Sequence, residues 1–96
     1  MENAVKSIVW SQDARDDIDE IYAFYVEESH VAEKVCSSII DSVGSLIFCE
    51  QYQIDEYYPP YRRIVVGNHK VLYMAEKGVV TIVGVVDARR QIKKIH

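Results

Sequence analysis

The side chains that could do chemistry in this sequence are cations gathered in its C-terminal third. Arg62 and Arg63 stand together, Lys70 follows on the next apolar stretch, and Arg89 and Arg90 lead into Lys93 and Lys94, the densest basic run. Guanidinium and ammonium groups placed this closely bind oxyanions, whether phosphates or the carboxylates of a partner. Neighbours on a strand point to opposite faces, so only one of Arg62 and Arg63 can line an open sheet face, and the sequence leaves open which. Each cation also has a plainer reading. The arginine pair could discourage edge-to-edge strand pairing, Lys70 could be a solvated strand lysine beside a turn, and residues 89–94 could be a solvated tail. His69 and His96 titrate in the range useful for proton transfer, yet one sits in a turn and the other at the end of the sequence, where histidines are ordinarily inert. Tyr73 reads as a packed sheet aromatic, with base stacking or proton donation as its functional alternative. Tyr57, Tyr58 and Tyr61 bracket Pro59-Pro60, where they could stack on a partner or, as the favoured reading, anchor a loop to the sheet edge.

The rest of the composition bounds what such cations can serve. At 96 residues, 49% apolar and 27% charged, the chain is expected to form one domain, residues 1–96, around one modest core. The net charge of −4 argues against a polyanion binder until it is divided by position. Residues 1–58 carry 3 basic and 13 acidic side chains, net −10, whereas residues 59–96 carry 8 and 2, net +6. A domain of this size has a radius of gyration of roughly 12–13 Å, more than the Debye length of about 8 Å, so the basic half can act locally. No apolar run suits a signal-peptide core or a membrane span, and a cytoplasmic location is expected. Cys36 and Cys49 lack metal-type spacing and read as two small helix residues on nearly opposite phases, which do not pair with each other. Nucleotide-binding glycine loops and Ser/His/Asp groupings are missing too, so no cofactor and no metal are expected.

Alternating apolar residues predict the elements that hold these groups. Val5 to Trp10 is rich in β-branched and aromatic residues and reads as a strand, after which Ser11 can cap a helix beginning at about Gln12. Ala14, Ile18, Ile21, Tyr22 and Tyr25 form one face of that helix, and Asp16, Asp17, Asp19, Glu20, Glu27 and Glu28 lie mostly outside it. Val31, Val35, Ile39, Val43, Leu46 and Ile47 predict a second helix from His30 to about Phe48. Gln51 to Pro60 loses periodicity and reads as a surface loop. Tyr61 to Val66, Lys70 to Glu76 and Val79 to Val86 then make a three-stranded meander with turns at Gly67-Asn68 and Lys77-Gly78. The last strand is the most continuous apolar run, as in a central strand covered on both faces. The expected fold is a two-layer α+β domain with a helical hairpin on one sheet face and the other face partly open.

This order of elements, with Ile8-Val9-Trp10-Ser11 before Ala14 and the Asp-rich helix, with Arg62-Arg63-Ile64-Val65-Val66-Gly67-Asn68-His69-Lys70-Val71-Leu72-Tyr73, and with Val85-Val86-Asp87-Ala88-Arg89-Arg90-Gln91, resembles the RelE/ParE superfamily. These proteins are the toxic halves of type II toxin–antitoxin pairs, including plasmid-stabilisation systems, and the resemblance covers nearly the whole chain. It implies a growth-arresting toxin relieved by a cognate antitoxin laid over the sheet or across the helical hairpin.

Two targets follow from the resemblance: one branch cleaves mRNA in the ribosome, the other poisons DNA gyrase. Cleavage needs a base for the 2′-hydroxyl, cations for the phosphorane and an acid for the leaving oxygen. Lys70 stands where the nuclease branch has an arginine before two aliphatics and a tyrosine, so Lys70 and Arg89 are the catalytic candidates if the chain is a nuclease. Lysine keeps the charge there without the bidentate fork. The nuclease branch places a tyrosine or histidine near the end of the last strand, and Asp87-Ala88-Arg89-Arg90-Gln91 has neither. That departure and the Val66-Gly67-Asn68 hairpin favour a ParE-like gyrase inhibitor over a ribosome-dependent endonuclease. A degenerate, non-toxic copy that binds antitoxin is a third reading, motivated by the acidic helices. Under each, Arg62, Arg63, Lys70, Tyr73, Arg89 and Arg90 are the candidates for binding target or antitoxin.

Overall fold

A computed structural model describes residues 3–25 and 27–89 of the chain; Arg90, Lys93, Lys94 and His96 lie outside them. Strand β1 (Ser7–Trp10) leads into helix α1 (Gln12–Phe24) and helix α2 (Ser29–Gly44), and β2 (Arg62–Val66), β3 (His69–Glu76) and β4 (Val79–Asp87) follow. The sheet order is β1-β4-β3-β2, with β1 parallel to β4 and the other pairs antiparallel. The expected α+β layering is therefore present, and β4 is central. Only one face of β4 is fully covered, because Val80 and Ile82 are buried while Thr81 and Val83 are partly exposed.

Ser11 turns the chain from strand to helix. Its hydroxyl accepts from the Ala14 N–H at 3.1 Å, its backbone N–H donates to the Ile82 carbonyl at 3.0 Å, and its hydroxyl donates to the Val83 carbonyl at 3.3 Å. One residue thus caps α1 and ties it to β4 just where β1 stops pairing. Past that point β4 has an open edge, and the Asp17 carboxylate accepts from the Val85 N–H at 2.8 Å. Gly84 makes room for this contact, since a Cβ there would lie 3.3 Å from the Asp17 oxygen.

The core lies between the helices and one sheet face: Ala14 of α1, Ile39 and Val43 of α2, and Ile64, Val71, Tyr73, Val80, Ile82 and Val85 of the sheet. Helix α2 ends at Gly44, four residues short of the expected Phe48, with the Ser45 hydroxyl donating back to the Asp41 carbonyl at 2.9 Å. The apolar spacing continues, but Ile47 is exposed and Cys49 lies outside the helix. The reason is a tertiary pairing: the Val5 N–H donates to the Ile47 carbonyl and the Cys49 N–H to the Asn3 carbonyl, each at 2.8 Å, which draws this segment out beside the N-terminal residues.

The two hairpin turns match expectation. Gly67 has φ 59°, and Lys77 and Gly78 both have positive φ, 53° and 84°, as a two-residue turn between right-twisted strands requires. No helix among the described residues is long and apolar enough to cross a membrane.

Candidate functional site

Alternation along β2 and β3 places Ile64, Val71 and Tyr73 toward the helices and Arg63, Val65, Lys70 and Leu72 toward the opposite, outer face. This resolves the arginine pair: Arg63, and not Arg62, shares the outer face with Lys70. The outer face is not open at Lys70, however. Residues 51–60, expected as a surface loop, together with Tyr61, expected in the strand that instead begins at Arg62, form a strap along the edge of β2 and over this end of the face. Its backbone is tied by an isolated antiparallel bridge between Ile54 and Arg62, by the Arg63 N–H to the Gln53 carbonyl at 3.0 Å, and by the Asp55 N–H to the Tyr61 carbonyl at 2.7 Å.

Asp55 is the centre of that strap and is fully buried, a rare condition for a carboxylate without partners. One of its oxygens accepts from the Tyr57 and Tyr58 N–H groups at 2.9 and 3.0 Å. The other accepts from the Lys70 ammonium and lies 3.9 Å from Arg63 Nε. Lys70 itself is 5% exposed, with the Tyr57 ring centroid 5.1 Å from its nitrogen. Burial pushes the Asp55 carboxyl up, but the Lys70 bond and the two backbone donors outweigh it and leave it below its ordinary value. Both readings of Lys70, as a cation for phosphate in a nuclease and as a solvated strand lysine, have it exposed; it is instead an enclosed group held by a carboxylate.

The remaining candidates lie elsewhere. Tyr73 is in the core, its hydroxyl donating to the Cys49 carbonyl at 2.9 Å, which agrees with the packed reading and leaves no ring surface for a partner. Arg62 pairs with Tyr73 in register and donates to the Tyr52 carbonyl at 2.8 Å. Arg89 lies on the helix side of the sheet beside the Gly67-Asn68 turn, where it grips Asp87 through Nε and a terminal nitrogen at 3.1 and 2.9 Å. The Arg89 bond is the main reason the Asp87 carboxyl falls to about 2. These two residues and His69 line a groove against Asp17, Glu20, Ile21, Phe24 and Tyr25 of α1. Burial pushes the His69 imidazole down, with Asp87 opposing. Arg90 lies outside the described residues.

Two consequences follow for the site as a whole. Among the described residues the candidate cations do not converge on one anion pocket: Arg63 and Lys70 share the outer face, Arg62 bonds the backbone at the sheet edge, and Arg89 faces α1. The division into an acidic and a basic half of the sequence also does not become two faces, since Asp13, Asp16 and Asp17 line one rim of the outer cleft opposite Tyr61, Leu72 and Val86. The periodicity of residues 51–60 gave no sign of Asp55. A signal existed in residue type, because an Asp a few residues ahead of a proline pair favours a turn in which its carboxylate takes nearby N–H groups.

The architecture is found in known proteins. A solved structure of the chromosomal ParDE TA system from P. aeruginosa superposes with a TM-score of 0.71 at 20% identity, covering 84% of this chain and 94% of that one, a likeness of fold. Curated proteins show no matching sequence. The family described as ParE toxin of type II toxin-antitoxin system, parDE, matches residues 8–92, from β1 through the groove-lining Arg89. With nearly its whole length matched, the chain belongs to the ParE toxin family of type II toxin–antitoxin systems.

Proposed function

We propose that the chain arrests growth as a ParE-like toxin that acts on DNA gyrase, without hydrolytic chemistry of its own, and is neutralised by a cognate antitoxin in the cytoplasm. The observation that carries this reading is the enclosure of Lys70 by Asp55. By the resemblance, the nuclease branch meets the scissile phosphate with a cation at that position, and here in the free chain the ammonium is 5% exposed and already holds a carboxylate of the same chain. The second cation of the nuclease reading, Arg89, is bound at both ends of its fork to Asp87 on the helix side of the sheet. The partner surfaces that fit the reading are exposed ones: the outer sheet face with Val9, Met74 and Val79, and the groove beside Phe24 and Arg89.

Induced expression should arrest growth, and co-expression of the adjacently encoded antitoxin should relieve it. With purified chain, supercoiling should fall and gyrase–DNA cleavage complexes accumulate. Ribosome-dependent mRNA cuts that vanish in Lys70→Ala and Arg89→Ala would replace this reading with the endonuclease. Antitoxin binding with neither process affected would replace it with the non-toxic binding module.

A further inference from the structure

Among residues 51–60 only Asp55 is buried; Gln51, Gln53, Ile54, Glu56, Pro59 and Pro60 are exposed, and the three tyrosines are partly so. The strap therefore closes over the sheet on a fully buried carboxylate at its centre, with Tyr52 packed against the core at its start. Arg63 is committed to the same closure, since its guanidinium donates to the Ile54 carbonyl at 3.0 Å and to Gln53 Oε1 at 3.4 Å, both groups of the strap. Lifting the strap would release two cationic heads together, diagonal neighbours on β2 and β3 of one sheet face.

We propose that Lys70 and Arg63 form a carboxylate-binding site that Asp55 fills in the free chain, and that accepts an external carboxylate, of the kind a protein partner's Asp or Glu presents, when Asp55 is withdrawn. The exchange is between like groups. Breaking a buried pair outright strands a charge in a poorly solvated place, but replacing one carboxylate by another keeps Lys70 paired and frees the planar fork of Arg63 for a second, charge-assisted contact. The Tyr57 and Tyr58 N–H groups leave with Asp55 as part of its own turn, so the strap keeps two of that carboxylate's bonds while it moves. The strap is thus an internal competitor that masks the site until a partner supplies the same chemistry. The inference rests on the proposed partner-contact role of the basic half only for which protein supplies the group.

Acetate, the aspartate side chain without its backbone, is the probe. Thermal melting of the full chain is followed for wild type, Asp55→Ala and Asp55→Ala/Lys70→Met as acetate replaces chloride at fixed ionic strength and pH 7. Acetate should raise the midpoint of Asp55→Ala alone, saturably, by about 5–10 °C at tenfold excess over its dissociation constant. An equal response in all three proteins, or none in Asp55→Ala, overturns the site. Asp55→Asn covers the case in which Asp55→Ala does not fold, because its amide oxygen can still accept from the Tyr57 and Tyr58 N–H groups. In that variant Lys70 should be acetylated by an amine reagent at least about tenfold faster than in wild type, and acetate should slow the labelling; wild-type labelling rates overturn the proposal. Neither result depends on gyrase activity, so the site and the proposed target fail separately.

Discussion

Removing the buried carboxylate by Asp55→Asn, with Lys70→Met and the double variant alongside, separates a buried ion pair from a surface one. The side chains of Lys70 and Asp55 are 7% and 0% exposed, so the discount applied to solvent-screened pairs does not apply. Stranding one member of a buried pair costs about 3–5 kcal/mol. Lys70→Met leaves Asp55 its two backbone donors and Arg63 Nε at 3.9 Å, which places the loss at the lower end, about 3 kcal/mol. Asp55→Asn leaves the ammonium with the Tyr57 ring 5.1 Å away and an amide oxygen, a loss of about 3–4 kcal/mol. The double variant buries no unpaired charge and should lose only about 1–2 kcal/mol, a coupling of several kcal/mol between neighbours. Against a total stability of about 5–15 kcal/mol the single variants are large effects. Their melting midpoints should fall by roughly 12–32 °C. Urea unfolding followed by circular dichroism measures all four proteins. The pH profile adds a second readout. The folded carboxyl lies below its ordinary 3.8, so its contribution is present above that value and is lost as pH falls through the lower folded one. The acid limb should flatten in Asp55→Asn. Two single losses under about 1 kcal/mol each that simply add, with parallel pH profiles, would refute the enclosed pair and the reading built on it.

Four further outcomes follow from other contacts. Asp17→Ala should destabilise by about 1–3 kcal/mol, because the Val85 N–H on the open edge of β4 loses its acceptor. Gly84→Ala should be harmful in the wild type and nearly neutral in Asp17→Ala, as its Cβ would meet the Asp17 oxygen at 3.3 Å; equal effects in both backgrounds would contradict this. Lys77→Asn should stabilise by roughly 0.5–1 kcal/mol, since Lys77 holds φ 53° and Asn tolerates the left-handed region better; a lower urea midpoint would count against the turn assignment. In a carboxyl NMR titration Asp87 should titrate near 2 and move toward 3.8 in Arg89→Ala, whereas an unmoved value would place Arg89 elsewhere in solution.

The local half of this protein is legible in its amino acids. Periodicity sets both helices, the β-branched runs set the strands, Gly67 and Gly78 set the turns and Ser11 marks the start of α1, because each depends on residues within one or two turns of chain. The family resemblance rests on the same local order. What the chain could not announce locally is where those elements meet. The early end of α2 follows from pairing with residues 3–5, far away in sequence. The choice of Arg63 over Arg62 needed strand register, which fixes every side chain's face at once. Asp55 lies in a stretch without periodicity and acquires its role from Lys70, 15 residues on and on another element. Residue types alone therefore determined that this chain carries cations suited to oxyanions, and tertiary structure decided which of them are free. The physical reason is that burial and pairing, not charge, set a cation's availability, and both are properties of packed neighbours rather than of sequence.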